Sequence, residues 1–315
     1  MTTYNVYRRN TVSDVPVAIA TELTSKSYSD TTAIKGITYL YSVGAVKNGI
    51  EKVSDEISRL AGEAWTPTNL SSQPKVYLLS DNVVVDSSNR VSQLNDISGN
   101  NNNFTQSSDT LKPIYIDGVI RFDGVDDRLS SANLNLFKNI SDAWIFTVYK
   151  KRGLTTSSIG HSLFYADVDG TNINRFFLIA KRASTGLTSF AARTLLTDTT
   201  SVISSPTIRD GTTMMAYAQA RYSTGTTKLR TNAIDDATGT ITASLTSNVT
   251  ASAINIGYGK VDGAGDVDVS AIILGTGSVP SSDEIKKLEG WAAHKYELTA
   301  NLPSDHPYKT NPPVQ

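Results

Sequence analysis

Residues 97–129 decide the fold. They read Ile97-Ser98-Gly99-Asn100-Asn101-Asn102-Asn103-Phe104-Thr105-Gln106, then Pro113, then Ile120-Arg121-Phe122-Asp123-Gly124-Val125-Asp126-Asp127-Arg128-Leu129. The first half is turn chemistry: Gly99 is free to take φ > 0, and the asparagine run tolerates left-handed backbone. In the second half Ile120 and Phe122 alternate with Arg121 and Asp123 until Gly124 ends the run, which predicts a strand entering a tight turn. Asp96, Asp123, Asp126 and Asp127 crowd around these turns, where carboxylates accept hydrogen bonds from backbone N–H groups.

Outward from this stretch, short β-prone runs recur from Lys75 to Gly277, separated by Gly, Asn, Asp and Ser. Ala143-Trp144-Ile145-Phe146-Thr147-Val148-Tyr149 is nearly all apolar and predicts a central strand covered on both faces. Together these runs predict two packed antiparallel sheets. One helix is expected near the C-terminus. Ser281 and Glu284 form a capping box after Pro280, and Ile285, Leu288, Trp291 and Ala292 make an apolar stripe.

Before this region, Tyr4-Asn5-Val6-Tyr7-Arg8 alternates, and residues 15–19 form an edge strand marked by Pro16. Residues 38–46 place Tyr39, Tyr41, Val43 and Ala45 on one face, and Asn48-Gly49 turns the chain into a return strand over 51–57. Residues 63–74, with Pro67 and Pro74, read as a linker. The expected division is a module over 1–62, that linker, a sandwich over 75–301 and a proline-rich tail over 302–315.

A chain of 315 residues accommodates one large and one small domain. Its net charge of −1 offers no field for nucleic acid. The absence of cysteine excludes disulfides and thiolate chemistry. The N-terminal residues lack the apolar core of a signal peptide, and no apolar run approaches the roughly 20 residues that span a bilayer. The sequence therefore predicts a chain not secreted by a standard signal, with neither a nucleic-acid nor a membrane partner.

Two resemblances give these readings a family context. The words D-x-S-G-N, from Asp96, and R-F-D-G-x-D-D-x-L, from Arg121, resemble the opening of laminin G-like domains of the concanavalin A-like lectin/glucanase kind, which bacteriophage virion proteins carry. Residues 288–298, L-E-G-W-A-A-H-K-Y-E-L, and 302–313, L-P-S-D-H-P-Y-K-T-N-P-P, resemble the end of those domains. The departure is Leu94, where many members carry Trp. The pattern Y-x-Y-x-V-x-A-x-x-x-x-G-x-E-x-x-S, from Tyr39 to Ser54, looks like the last strands of a fibronectin type III module, whose first two strands would precede Met1, so the resemblance implies that the strand beginning at Tyr4 lies near an unpaired position. The resemblances imply an all-β protein: a concanavalin A-like antiparallel β-sandwich (jelly roll), a small N-terminal fibronectin III-like module and one C-terminal helix.

Site chemistry follows. A retaining glucanase of this fold carries E-x-D-x-x-E on one strand, with carboxylates about 5 Å apart. This chain has no Glu between Lys75 and Asp283, so no catalytic residue is assigned. His161, His294 and His306 lack metal-ligand spacing, and no G-x-S-x-G elbow occurs. Loop residues Asn100, Asn101, Asn102, Asp167, Asp169 and Asn172 are the carbohydrate-binding candidates. Asp167, Asp169 and Asn172 are also the candidate ligands for Ca²⁺, the one cofactor considered, in a loop without the distal Glu of a full Ca²⁺ site. Tyr4, Val6, Tyr39, Tyr41 and Val43 are the candidate docking face. The resemblance implies a non-enzymatic virion protein, oligomeric in the particle. Its N-terminal module would contact other virion proteins, and its sandwich would adhere to host-surface glycan. Two alternatives stand beside this: a structural decoration protein with no glycan ligand, and a polysaccharide-degrading enzyme.

Overall fold

The structure, a computed structural model, describes residues 2–152, 160–168, 173–183, 185–194, 201–209, 211–243, 251, 253–259 and 263–315. It divides into two compact units, Met1–Trp65 with Pro307–Gln315, and Thr66–His306.

The first unit is one antiparallel sheet. Its strands are Thr3–Arg9 (β1), Val17–Leu23 (β2), Thr38–Lys47 (β3), Ile50–Val53 (β4) and Ile57–Leu60 (β5), ordered β2-β1-β3-β4, with β5 also on β3. Asn48 (φ 53°) and Gly49 (φ 79°) turn β3 into β4 in the left-handed backbone that the Asn-Gly pair favours. The return strand comes in two pieces. Ser54 interrupts it, donating its N–H to the Val43 carbonyl while its Oγ accepts the Val43 N–H. The strand at Tyr4 was expected beside an unpaired position, but it is paired on both sides. The reason is local: residues 10–16 fold β2 back onto β1, which leaves β2 and the β4–β5 side as the open edges. Tyr4 faces Ala45, Val6 faces Val43 and Arg8 faces Tyr41, so the apolar residues share one face. On the other face Glu51 accepts hydrogen bonds from Asn5 Nδ2 (2.7 Å) and the Tyr7 hydroxyl (2.8 Å). Residues 307–315, part of the proline-rich tail over 302–315, belong to this unit. Ala64 bridges Val314, and buried Trp65 donates its N–H to Pro313.

The second unit carries the remaining strands. They are Val76–Val85 (β6), Val91–Asp96 (β7), Phe104–Thr105 (β8), Ile114–Ile116 (β9), Val119–Asp123 (β10), Leu129–Ser131 (β11), Asp142–Lys151 (β12) and His161–Val168 (β13). Then come Ile173–Lys181 (β14), Ser189–Ala192 (β15), Ser201–Ser204 (β16), Thr213–Arg221 (β17), Thr226–Thr231 (β18) and Ile234–Thr240 (β19). Ala253–Ile256 (β20), Tyr258–Gly259 (β21), Gly263–Ala264 (β22) and Asp266–Thr276 (β23) complete the set. The expected antiparallel sandwich forms, and the strands of its two layers follow one hydrogen-bonded path, β16-β15-β14-β13-β20-β11-β8-β7-β6-β23-β12-β17-β18-β19. The cause is β6, whose residues 76–79 pair with β23 while residues 83–85 pair with β7 across a register shift. The sheet folds over at that strand and closes a sandwich on one core. Phe104, Phe164, Phe176 and Phe190 from one side meet Phe122, Ile145, Met214 and Leu229 from the other.

Strand β12 lies between β23 and β17 and is buried on both faces, as its sequence predicts. Its outward residue Phe146 belongs to a row that runs across four other strands: Tyr77, Ile273, Phe146, Tyr217 and Arg230. A helix, Ser282–Lys295 (α1), covers that row with its stripe of Ile285, Leu288, Trp291 and Ala292. Trp291 meets Tyr77 edge-on at 6.0 Å between ring centroids. Glu289, 1% exposed, accepts from Arg230 Nε at 2.7 Å, and His306 Nε2 lies 3.3 Å from the same carboxylate. The Ser281–Glu284 capping box forms as read from the sequence.

Trp291 is 9% exposed, so truncating it opens a cavity between helix and sheet. Trp291→Ala should cost roughly 3–5 kcal/mol in urea unfolding. An unchanged midpoint would show that the helix is not anchored there.

Candidate functional site

Strand alternation sets the outer surface of the sandwich. Leu94, Phe104 and Leu129 point inward and are buried, so Gln93, Thr105 and Ser130 point outward. Cross-strand register puts these in one row: Gln93 opposite Thr105, Thr105 opposite Ser130, and Ser130 opposite Asn255. Over the row lies a trough of about 570 Å³, whose walls add Ser92, Gln106 and Arg128. A second hollow of about 400 Å³ shares Gln93 and Thr105 and reaches Asn101, Asn102 and Asn133. The trough presents hydroxyls, carboxamides and one guanidinium, with no carboxylate among its described lining. Such a surface suits a ligand rich in hydroxyl groups.

The asparagine loop is mostly internal wiring. Asp96 accepts the N–H groups of Tyr77 (2.8 Å), Ser98 (2.9 Å) and Asn102 (2.8 Å), tying the turn to β6. Asn100 donates to the Pro74 carbonyl. Asn102 donates to Lys75 and accepts from Asn133. Asn101, exposed and left-handed at φ 58°, lines the second hollow together with Asn102, while Asn100 does not. The candidate ligands Asp169 and Asn172 lie outside the described residues, as does the side chain of Asp167. Sequence reading passed over Gln93, Thr105, Gln106, Arg128 and Ser130. Buried Val91 and Leu94 lie three apart across a register shift, so the local sequence does not alternate and marks neither the outward residues nor which strands lie side by side.

Carboxylates are placed as follows. Glu284 caps α1, Glu289 is held by Arg230, and Glu297 is exposed beyond the helix. Asp123, Asp126 and Asp127 bring one ligand oxygen each within 4.8 Å of the others, a cluster with the geometry to hold a cation. The same groups brace their turn: Asp127 accepts the Asp123 N–H (3.0 Å), and Asp123 accepts the Val125 N–H (2.8 Å). Burial pushes the Asp127 carboxyl up to about 6, and the charge of Asp123 adds to the rise. Elsewhere, His161 Nδ1 accepts the Asp266 N–H at 2.7 Å.

In the first unit, a groove of about 1030 Å³ opens on the apolar sheet face. Tyr4, Val6, Tyr41 and Val43 line it, and its charged lining is Lys26, Lys35 and Arg59 against Asp30 and Glu63. Tyr39 is 3% exposed. Its ring lies under the Arg8 guanidinium and its hydroxyl accepts the Ile34 N–H, so it belongs to the unit's own packing. Asp30 accepts from Arg8 and Tyr41, each at 2.8 Å. Burial raises the Asp30 carboxyl, but hydrogen bonds from Thr32, Tyr41 and Arg8 outweigh it and hold the group at about 2.

No family model and no curated protein matches the chain. Solved structures do. Domain 4 of an extracellular arabinanase from Geobacillus stearothermophilus, in complex with arabinotriose, matches at TM-score 0.50 and 14% identity, over 69% of this chain and 98% of that one. The ligand binding domain of botulinum neurotoxin serotype D, in complex with N-acetylneuraminic acid, matches at 0.51 and 12%, over 70% of this chain and 52% of that one. Trypanosoma rangeli sialidase in complex with sialic acid matches at 0.51 and 9%, over 80% and 42%. The chain thus spans about half or less of the toxin and sialidase chains. At these identities the likeness is one of fold: an all-β sandwich.

The raised Asp127 carboxyl gives a pH signature. Its folded-state value lies above 3.8, so its contribution to stability is fully present below about pH 3.8 and is lost as pH rises through about 6. Asp127→Asn, which keeps an acceptor for the Asp123 N–H, should remove this loss. The variant should gain roughly 1–3 kcal/mol over the parent between pH 4 and 7. Parallel unfolding curves for the two proteins across that range would contradict the assignment.

Proposed function

We propose that this chain is a non-enzymatic virion protein that adheres to host-surface glycan through the trough over β7, β8 and β11. The observation that carries the reading is the lateral row of Gln93, Thr105 and Ser130, an outward polar strip on a rigid sheet with no carboxylate in the described lining of its trough. Neighbouring hydroxyls and amides on fixed strands can pair with successive sugar hydroxyls. The fold is shared with structures solved with arabinotriose, sialic acid and N-acetylneuraminic acid bound. The non-enzymatic part rests on the three glutamates of the sandwich unit, Glu284, Glu289 and Glu297, which are committed elsewhere or lie beyond the helix. The virion part rests on the end motifs around Asp96, Arg121 and residues 288–313.

The first unit would dock to another virion protein. An extended apolar strand with acidic flanks suits the groove, because Tyr4, Val6, Tyr41 and Val43 offer the apolar floor and Lys26, Lys35 and Arg59 the countercharge. Val43 is 42% exposed there, so Val43→Asp should abolish incorporation into particles while the sandwich still melts normally. Incorporation at the parental level would remove the docking role.

For the glycan reading, a glycan array followed by calorimetry on the best ligand is the test. The double variant Gln93→Ala, Thr105→Ala should weaken binding roughly tenfold, since each lost hydrogen bond is worth about 0.5–1.5 kcal/mol. Incubation with the bound polysaccharide should release no reducing ends. A protein that binds nothing on the array is the decoration protein of the first alternative, and depolymerisation would favour the enzyme.

A further inference from the structure

Arg128 stands out among the trough residues. Four arginines of the sandwich unit are neutralised by carboxylates: Arg121 by Asp268, Arg152 by Asp266, Arg221 by Asp142 and Arg230 by Glu289. Among the described residues, no carboxylate lies within ion-pair distance of Arg128. Its backbone is fixed at both ends: its N–H donates to the Leu111 carbonyl at 3.0 Å, and its C=O accepts from Gln106 Nε2 at 3.2 Å. Its guanidinium lies over the Tyr258 ring, 5.1 Å from the centroid. A half-buried guanidinium, held by an aromatic face and lacking an anion, has its fork of N–H donors ready for one. The groups around it in the trough are neutral: Ser92, Gln93, Thr105, Gln106, Ser107 and Ser130.

We propose that the trough selects acidic glycans, with Arg128 receiving the sugar carboxylate and Tyr258 holding the guanidinium in place. The inference rests on the glycan-binding reading above and narrows it. A planar carboxylate matches the guanidinium fork with two parallel N–H···O bonds, which a hydroxyl cannot supply. The neutral residues of the row then pair with the hydroxyls of the same sugar and its neighbours. Sialic acids and uronic acids both present this carboxylate, and they differ in where it sits on the ring and in what flanks it.

The test uses the full chain and three probes: polysialic acid, polygalacturonic acid and neutral dextran, each titrated calorimetrically at 0.15 M NaCl. One or both acidic polymers should bind more tightly than dextran, and which one binds identifies the source of the carboxylate. Arg128→Gln should weaken the acidic ligand roughly tenfold to a hundredfold, bringing its affinity towards that of dextran. Arg128→Lys keeps the charge without the fork and should recover only part of the loss. Tyr258→Leu should weaken acidic binding less than Arg128→Gln and leave any dextran binding as it was. Melting curves of all variants exclude misfolding, and the lysine variant carries the test if the glutamine variant is unstable. Dextran binding as tight as the acidic polymers, with Arg128→Gln unchanged, would overturn the acidic selectivity while leaving the glycan reading intact. Binding of none of the three would overturn both.

Discussion

Strand β12 sets the terms for everything packed around it. Its residues from Asp142 to Tyr149 are buried on both faces, so the sheet that holds it needs an apolar cover on each side. On the inner side the cover is the sheet's own other half, brought over by the change of partners along β6. On the outer side it is α1, laid across the row from Tyr77 to Arg230. The Glu289–Arg230 pair ends that row with a buried charge that only a bidentate partner makes tolerable. Tyr217, beside it in the row, has its hydroxyl pushed well up by burial and by the charge of Glu289.

What the sequence made legible is what is encoded locally. Asp96 and the residues after it specify a turn because a carboxylate, a serine and a glycine within a few positions can be satisfied by backbone N–H groups nearby. The capping box at Ser281, the apolar stripe to Trp291 and the doubly covered strand at Phe146 follow from periodicity alone. The pairing of the strand at Tyr4 on both sides was not legible, because it depends on how residues 10–16 fold β2 back. The single path of the large sheet was hidden for a related reason: one long strand, β6, changes neighbours midway.

The candidate site shows the same limit more sharply. Gln93, Thr105, Ser130 and Asn255 come from four separate strands and share no sequence pattern; only register makes them neighbours. The asparagine loop attracted attention because polar runs look like ligand sites, yet Asn100 and Asn102 spend their amides on Pro74, Lys75 and Asn133. Polar residues that brace a turn and polar residues that face a ligand are the same residue types. What separates them is whether the backbone nearby already uses their hydrogen bonds. Arg128 illustrates the other outcome, since its backbone is bound and its guanidinium is left over.

The sandwich unit, Thr66–His306, begins and ends inside the chain of the other unit, which holds both residues before Trp65 and residues after Pro307. The bridge between Ala64 and Val314 draws those two connections together. A force that pulls on the sandwich unit therefore passes through two covalent connections rather than one. Each strand carries part of the tension, and the hydrogen bonds that clasp them must shear or peel before either extends. A single nick in one connection would leave the sandwich unit still tethered through the other.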